Sequence, residues 1–386
     1  MRKKIKLGLV SSFNQLCGNA TFSEELAKGF SRSYEVRKID VPINLQEDYD
    51  RAIEDSICMQ LSECDAVNIQ FELGLYGPTP EKAQKVIKRL MSASKNLSIT
   101  MHRVDVNKKN FFRSLYKEFK ENGIKFLLKS LVEHWKQIKL ANVYRNVVLK
   151  AQKINASIIC HSHREYYRIK KIAPNVEVFI HPIMWMERND LSKLSLDLYF
   201  NEPSYNTIGL FGFISAYKNY DLVADALLNE EFNVLIAGSS HPMSSNYGKS
   251  TRNISRLSYI RQISILFSEV SFKGRVFSIT APSNDQLIQL IKSVDIVCIP
   301  YLETGQSGSG IASMAIQYGK KVIFSDTNCT SELIKFLNES PILFDADSPL
   351  SLIGAIKQVI RKNSKINFSE RTFETQEKTY FKSMRL

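Results

Sequence analysis

A chain of 386 residues is longer than one ordinary hydrophobic core fills, so two domains are expected, and 44% apolar with 24% charged residues excludes a disordered chain. Six cysteines (17, 58, 64, 160, 298 and 329) are scattered without paired spacing, several inside apolar runs; this argues against a zinc site or disulfide framework and for reduced thiols in a cytoplasmic protein. The net charge of +13 is concentrated: Val106 to Lys153 holds twelve Lys or Arg against three Glu, a net +9.

The start, MRKKIKLGLV, reads as a first strand behind solvated lysines, its apolar run being too short for a signal peptide, and no later stretch approaches a membrane span. The strand Ile5 to Val10 runs into a loop with Gly18 and Asn19, then a helix from Ser23 to Phe30 with Glu24 and Glu25 in its first turn. Val36 to Val41 is a second strand, Tyr49 to Leu61 a helix, and Ala66 to Phe71 a buried strand ending at Glu72. That carboxylate can bind a sugar hydroxyl or stand as a solvated strand-end residue. Glu81 to Ser94 is an amphipathic helix, and Leu97 to Met101 is a strand ending at His102, which either faces a site or caps the strand.

The basic segment follows, with Phe111, Phe119, Leu127, Leu131, Trp135 and Leu140 at near-helical spacing among lysines. Two readings stay open: a helix lying on an anionic membrane surface, or a helical subdomain packed on the core with a solvated basic face. Nucleic acid is a third partner for a basic patch, but no nucleic-acid motif accompanies it and none is expected. Strands from Ala156 to Cys160 and from Val176 to Ile180 end at His161 and His181. His161 and His163 stand two apart in a loop, a pair too small to be read as a metal site, and no metal is expected. The first domain is read as 1–185, the basic segment 106–153 as an insertion in it, and 186–206 as a linker.

The second domain, 207–365, restarts with the strand Thr207 to Phe211, then Gly212, a short loop, Lys218 and a helix. Asn233 to Ala237 is a strand ending at Gly238; a further element starts at Phe272 and Gly274, and Asn284 to Ser293 is a helix. The segment IPYLETGQSGSGIASMAIQYGKKVIF has the period of strand, glycine loop, helix and strand. Ser307, Gly308, Ser309 and Gly310 fall where backbone N–H groups and the positive end of a helix meet an anion, and they either cradle a phosphorylated ligand or simply close a tight turn. Ser340 to Phe344 is a last strand, Ser348 to Lys362 a helix, and 366–386 a C-terminal helix. Strands and helices alternate in both halves, which predicts an α/β protein of two doubly wound domains facing each other across a cleft.

The segments GFISAYKNYDLVADAL, VSFKGRV, DQLIQLIKSVDIVCIPY and AIQYGKKVIFSD resemble the donor domain of retaining glycosyltransferases of the GT-B fold, family 4. CGNATFSEELAKGF, NIQFELGLYG and ITMHRVD resemble the first domain of that family. The resemblance implies two Rossmann-like domains and a hexosyltransferase, retaining and metal-independent, that moves a sugar from a nucleotide sugar to a glycan or glycolipid at the inner face of a membrane, as in polysaccharide or lipopolysaccharide biosynthesis. Lys218 would neutralise the donor diphosphate and Ser307 and Gly308 would offer it N–H groups, with Gly212 and Gly238 lining the same site; His102 would contact the donor sugar, and Gly18 and Asn19 would approach the phosphates. The family's pair of glutamates falls on Gln306 and Met314, leaving Glu303 as the acid of that loop. Its arginine falls on Phe213, with Arg252, Arg256, Arg261 or Arg275 as replacements. These departures fit a divergent transferase using Gln306 and backbone donors, one with an unusual donor or a soluble acceptor, a phosphorylase-like enzyme, or a non-catalytic subunit binding a partner enzyme or membrane.

Overall fold

The computed structural model describes residues 4–15, 17–43, 45, 50–104, 124–196, 205–238, 273–303, 305, 308–362 and 365–386, with the backbone alone at 124–131 and 133. Gln306, Ser307, Arg252, Arg256, Arg261 and the first part of the basic segment, 106–123, lie outside the described residues. The chain divides into two compact units, one of Met1–Gln15, Phe22–His181 and Glu377–Leu386, the other of Leu16–Thr21 and Pro182–Gln376.

The first unit is a six-stranded sheet of β1 (Lys6–Ser11), β2 (Glu35–Asp40), β3 (Ala66–Phe71), β4 (Leu97–Met101), β5 (Ser157–Cys160) and β6 (Val178–Ile180). Every pairing is parallel and the order is β2-β1-β3-β4-β5-β6. Parallel sheets are covered on both faces, which is why β3 and β4 are buried along their whole length. The connecting helices are α1 (Gly18–Phe30), α2 (Arg51–Ser62), α3 (Pro80–Ala93), α4 (Ile124–Lys153) and α5 (His163–Ile172). Thr79 caps α3 and Pro80 opens it; Ala83, Val86, Ile87, Leu90 and Met91 then recur at helical spacing and are buried.

The basic segment is thereby partly corrected. The second half of α4 is the crossover between β4 and β5, and its Val143, Tyr144, Val147, Val148 and Ala151 join the core of this unit. Burying such a row contributes roughly 1.5–3 kcal/mol per large side chain, so this half is a helix packed on the core, with Asn142, Arg145 and Leu149 on its solvated side, and not an insertion apart from the fold. The expected helix start at Ser23 is also corrected: α1 begins at Gly18, and the Ser23 hydroxyl is buried, donating to Ser11 Oγ at 2.7 Å.

The second unit repeats the plan with β7 (Asn206–Phe211), β8 (Phe232–Ala237), β9 (Val276–Ile279), β10 (Ile296–Ile299), β11 (Val322–Ser325) and β12 (Ile342–Phe344) in the order β12-β11-β10-β7-β8-β9, again wholly parallel. Its helices are α6 (Tyr220–Leu227), α7 (Asn284–Ser293), α8 (Gly310–Tyr318), α9 (Asn328–Ile334) and α10 (Pro349–Arg361); α11 (Phe373–Ser383) closes the chain and is shorter than the expected 366–386. From β7 the chain passes to β8 on one side and returns as β10 on the other. In open α/β sheets the loops at the carboxyl ends diverge at such a reversal and leave a crevice between them. The loops after β7 and β10 carry Lys218 and Tyr301.

Among the described residues no helix is long and apolar enough to cross a membrane.

Candidate functional site

In the second unit, β7 ends in Phe211 and the chain turns at Gly212, whose φ of +94° is a region that side chains with a Cβ rarely adopt. A 3₁₀ turn, Ala216–Lys218, then folds Lys218 back under the turn, where only 3% of it is exposed. Its ammonium donates to the Phe211 carbonyl at 3.3 Å and to the Tyr301 hydroxyl, and lies 4.1 Å from the Tyr301 ring centroid. No carboxylate offsets this cation among the described residues. Burial alone pushes its pKa from 10.5 down to about 7, so the ammonium form is held ready for an anion to stabilise it.

Tyr301 comes from the loop after β10. Burial, with Tyr217 and Tyr220 nearby, holds its phenol well above the ordinary range, so it stays protonated and able to donate. The loops after β7 and β10 are tied by Leu302 N–H donating to the Tyr217 carbonyl at 2.8 Å. The start of α8 meets the same point, because a Cβ placed on Gly212 would lie 3.0 Å from Ile311 Cγ1 and 3.1 Å from Lys218 Nζ. Ser309 caps α8 by accepting from Ala312 N–H at 3.2 Å. Gly238 belongs to this cluster too: a Cβ there would be 2.0 Å from the Gly212 carbonyl oxygen. Lys218, Gly212, Gly238, Tyr301, Ser309 and the first turn of α8 are therefore brought together, and Gly308 directly precedes that turn.

The helix is held from outside by the segment Met184 to Met186. Trp185 N–H donates to Gln317 Oε1 at 2.9 Å and its indole N–H to the Gly310 carbonyl at 3.0 Å, while Gln317 Nε2 returns a bond to the Trp185 carbonyl. Tyr318 OH adds one to the Met186 carbonyl.

Glu303 points elsewhere. Its Oε1 accepts from Gly305 N–H at 2.7 Å, and its Oε2 accepts from both Asn328 N–H and Asn328 Nδ2 at 2.7 Å, where α9 begins. Its carboxylate thus braces the loop after β10 against α9. Met314, at one position of the expected acid pair, is buried in α8. Arg275 precedes the amino end of β9, whereas Lys218 follows the carboxyl end of β7, so in this parallel sheet the two stand at opposite strand ends and Arg275 does not replace the missing arginine.

Gly18 and Asn19 open α1, Gly18 exposed and Asn19 buried, and both fall in the short stretch Leu16–Thr21 that is grouped with the second unit; His102 and the residues bonded to it belong to the first unit. His102 follows β4 and lies above a buried polar row. Its Nε2 donates to Gln70 Oε1 at 2.8 Å; Gln70 Nε2 donates to Asn68 Oδ1 at 2.6 Å and Thr100 Oγ1 at 3.2 Å, and Tyr380 OH stands 3.1 Å from Thr100 Oγ1. This chain fixes both the ring orientation and the tautomer, since an amide oxygen can only accept. Burial, and to a lesser degree His161, holds the His102 pKa well below its ordinary value, so the ring is neutral. Replacing Gln70 by leucine should strip His102, Asn68 and Thr100 of a partner and cost about 1–3 kcal/mol in a urea denaturation experiment. A change below about 0.5 kcal/mol would contradict this role.

Sequence reasoning missed Tyr301, Gln70 and His161. Gln70 alternates with Asn68 inside an apolar strand, and two amides on one face of a buried strand are the signal that was there to be read. Tyr301 follows Pro300 at the end of an apolar run and reads as core. Among the described residues, no group of three or more His, Cys, Asp or Glu is placed to hold a metal ion.

No protein-family model matches this sequence, and no curated protein does. Solved structures do match. HepE of Anabaena in complex with UDP-glucose aligns over 98% of this chain and 93% of its own, with a TM-score of 0.62 and 13% identity. Sucrose-phosphate synthase of Thermosynechococcus elongatus aligns over 99% and 94% with a TM-score of 0.57 and 14% identity. The UDP-forming α,α-trehalose-phosphate synthase of Burkholderia xenovorans, in complex with glucose-6-phosphate, aligns over 98% and 96% with a TM-score of 0.53 and 9% identity. At these identities the likeness is one of fold: the chain has the α/β fold of two Rossmann-like units found in GT-B glycosyltransferases.

Proposed function

We propose that the protein is a glycosyltransferase that takes a sugar from a nucleoside diphosphate, with UDP-sugars as the first donors to try. The observation that carries this reading is Lys218, a buried ammonium without a carboxylate partner among the described residues, set at the strand-order reversal of the second unit. A diphosphate leaving group gathers negative charge as the glycosidic bond breaks, and a preorganised cation with phenol and helix-end N–H donors stabilises that charge. In this reading Lys218 and Tyr301 take the diphosphate together with the loop of Gln306, Ser307 and Gly308, and Gly212 and Gly238 let the backbone come close. His102 is assigned a contact to the sugar, and Gly18 and Asn19 a contact to the phosphates. Glu303 positions the loop. The fold shared with UDP-sugar-dependent enzymes supports this assignment.

The test is thermal stabilisation by a panel of nucleotides and nucleotide sugars. A ligand at a hundred times its Kd should add about 2.7 kcal/mol, and far less to Lys218→Ala. Stabilisation by none of the panel would count against the donor site. A second reading, a non-catalytic subunit, is favoured by Met314 in place of an acid; it predicts nucleotide binding without sugar release or transfer.

We further propose a glycan or glycolipid acceptor at the inner face of a membrane, with retention of configuration and with Lys218 supplying the charge a metal ion can supply elsewhere. What supports the membrane is the first half of α4, which exposes Val132 and Trp135 beside the exposed Lys136 and Lys139. Binding to vesicles of anionic lipid should weaken as salt rises from 0.05 to 0.5 M and should fall about tenfold in Trp135→Ala; no binding at low salt would remove the proposal.

A further inference from the structure

Close to His102, the first unit holds a second imidazole that the donor chemistry leaves unused. His161 follows β5 directly and is only 4% exposed. Its Nδ1 lies 2.9 Å from the main-chain oxygen of His181. A carbonyl oxygen only accepts, so Nδ1 carries the proton and Nε2 presents a bare lone pair. That Nε2 is buried and has no hydrogen-bond partner among the described residues. Burial holds the ring pKa down to about 4, so at neutral pH it does not become a donor.

The surroundings narrow what can satisfy it. The His102 ring lies 5.1 Å away, and Phe22 stands edge-on to both rings at 5.9 and 6.0 Å. His102 is itself neutral and locked by Gln70. The aromatic groups around that nitrogen are thus an uncharged imidazole and a phenyl edge, neither of which neutralises a phosphate. A phosphate dianion also has no proton to offer an acceptor. What fits is an uncharged hydrogen-bond donor with an apolar skeleton, which describes a sugar hydroxyl on its ring.

We propose that His161 is a specificity-determining residue whose Nε2 accepts a hydrogen bond from one hydroxyl of a sugar substrate. The inference rests on the glycosyltransferase reading, and it leaves open whether that hydroxyl belongs to the donor sugar or to the acceptor. A site built to pair a hydroxyl rejects the analogue that lacks it, because its own buried atom is then left unsatisfied. His161 therefore sets which sugar epimer or deoxy sugar is refused.

The direct test observes the imidazole nitrogens of the six histidines by long-range proton–nitrogen NMR of protein labelled with ¹⁵N in histidine. UDP, UDP-glucose and methyl glucosides are the probes, run in separate titrations. The expected result is an upfield displacement of the His161 Nε2 resonance by a sugar-bearing probe and not by UDP alone. A response to UDP-glucose assigns the hydroxyl to the donor, and a response to a methyl glucoside assigns it to the acceptor. In parallel, His161→Phe should weaken the responding probe about tenfold or more while UDP binds within twofold of wild type, and His161→Gln, which keeps an acceptor, should recover most of the loss. An Nε2 resonance unmoved by all saturating sugars, as a permanently held water would give, overturns the inference, and so does a Phe variant that still discriminates. Failure of the underlying reading looks different: UDP and UDP-glucose then leave the thermal stability of the wild type and of Lys218→Ala unchanged.

Discussion

Lys218→Met is expected to lower turnover of a UDP-sugar by about 10²–10³-fold and at the same time to make the protein more stable. The two effects have one origin. A buried ammonium whose pKa is depressed from 10.5 to about 7 carries a desolvation cost of roughly 4 kcal/mol near neutral pH. Methionine fills a similar volume without that cost, and after losing the bonds to Phe211 and Tyr301 it should still gain about 1–3 kcal/mol. The sign of the pH dependence follows. Between pH 7 and 10.5 the unfolded lysine holds a proton that the folded one has released, so this group makes stability rise with pH across that window. Below pH 7 both states are protonated and the penalty is full. Methionine removes the slope. Binding a diphosphate restores the charged form, so at pH 8 UDP should take up a fraction of a proton, and its affinity should fall as pH rises above 7. Calorimetry in two buffers of different ionisation enthalpy reads the uptake. A Met variant that binds UDP like the wild type would place the diphosphate elsewhere.

The fold was legible because both sheets are parallel and doubly covered. Most of their inner strands are largely apolar runs, in contrast to the charged edge strand β2, and Ala66–Phe71, Leu97–Met101 and Asn284–Ser293 begin and end where the sequence pattern places them. The elements that escaped carry weaker signals. Helix α5 (HREYYRIKKI) has one apolar stripe among charges, and its cap, Ser162, lies inside a run of site-like polar residues. Helix α9 has seven residues, too few for a period. At its start α1 is capped by the thiol of Cys17, which accepts from Ala20 N–H at 3.4 Å and is an unusual cap, whereas Ser23, followed by two glutamates, imitates a cap and is instead bonded to Ser11 across the core.

Site residues divide in the same way. Lys218, Gly212 and Gly238 could be singled out in the sequence, and they lie together in the structure, because they sit in a strand–loop–helix punctuation. The roles of Glu303 and His161 depend on partners far along the chain, Asn328 and His181, and no local pattern encodes which way a carboxylate or an imidazole turns. Burial separates the two: the acid that stayed at the surface braces a loop, and the cation that was buried without an acid is the one we propose for the diphosphate.

Gly238→Ala is the second large effect expected, and it ties the fold to that site. Gly212 N–H donates to the Ala237 carbonyl and Gly238 N–H to the Ile279 carbonyl, both at 2.9 Å, so the backbones at the carboxyl ends of β7, β8 and β9 are locked side by side. A methyl on Gly238 would lie 2.0 Å from the Gly212 oxygen, a main-chain atom that no side-chain rotation can move away. The strands must part, and an overpacked core of this kind typically costs about 1–3 kcal/mol. Here the displaced residue holds a φ of +94° and lies against the Lys218 ammonium, so the loss should reach about 3 kcal/mol or more. UDP affinity should fall with it, because the turn that buries Lys218 is what moves. Gly354→Ala is the control. That glycine lies in α10, where an added methyl meets nothing within 4 Å, and the exchange should stabilise the protein by about 0.5–1 kcal/mol and leave UDP binding unchanged. Denaturation midpoints and UDP titrations of the two variants separate a local backbone lock from a general intolerance of alanine; equal behaviour of both would show that the Gly212–Gly238 contact does not hold the site.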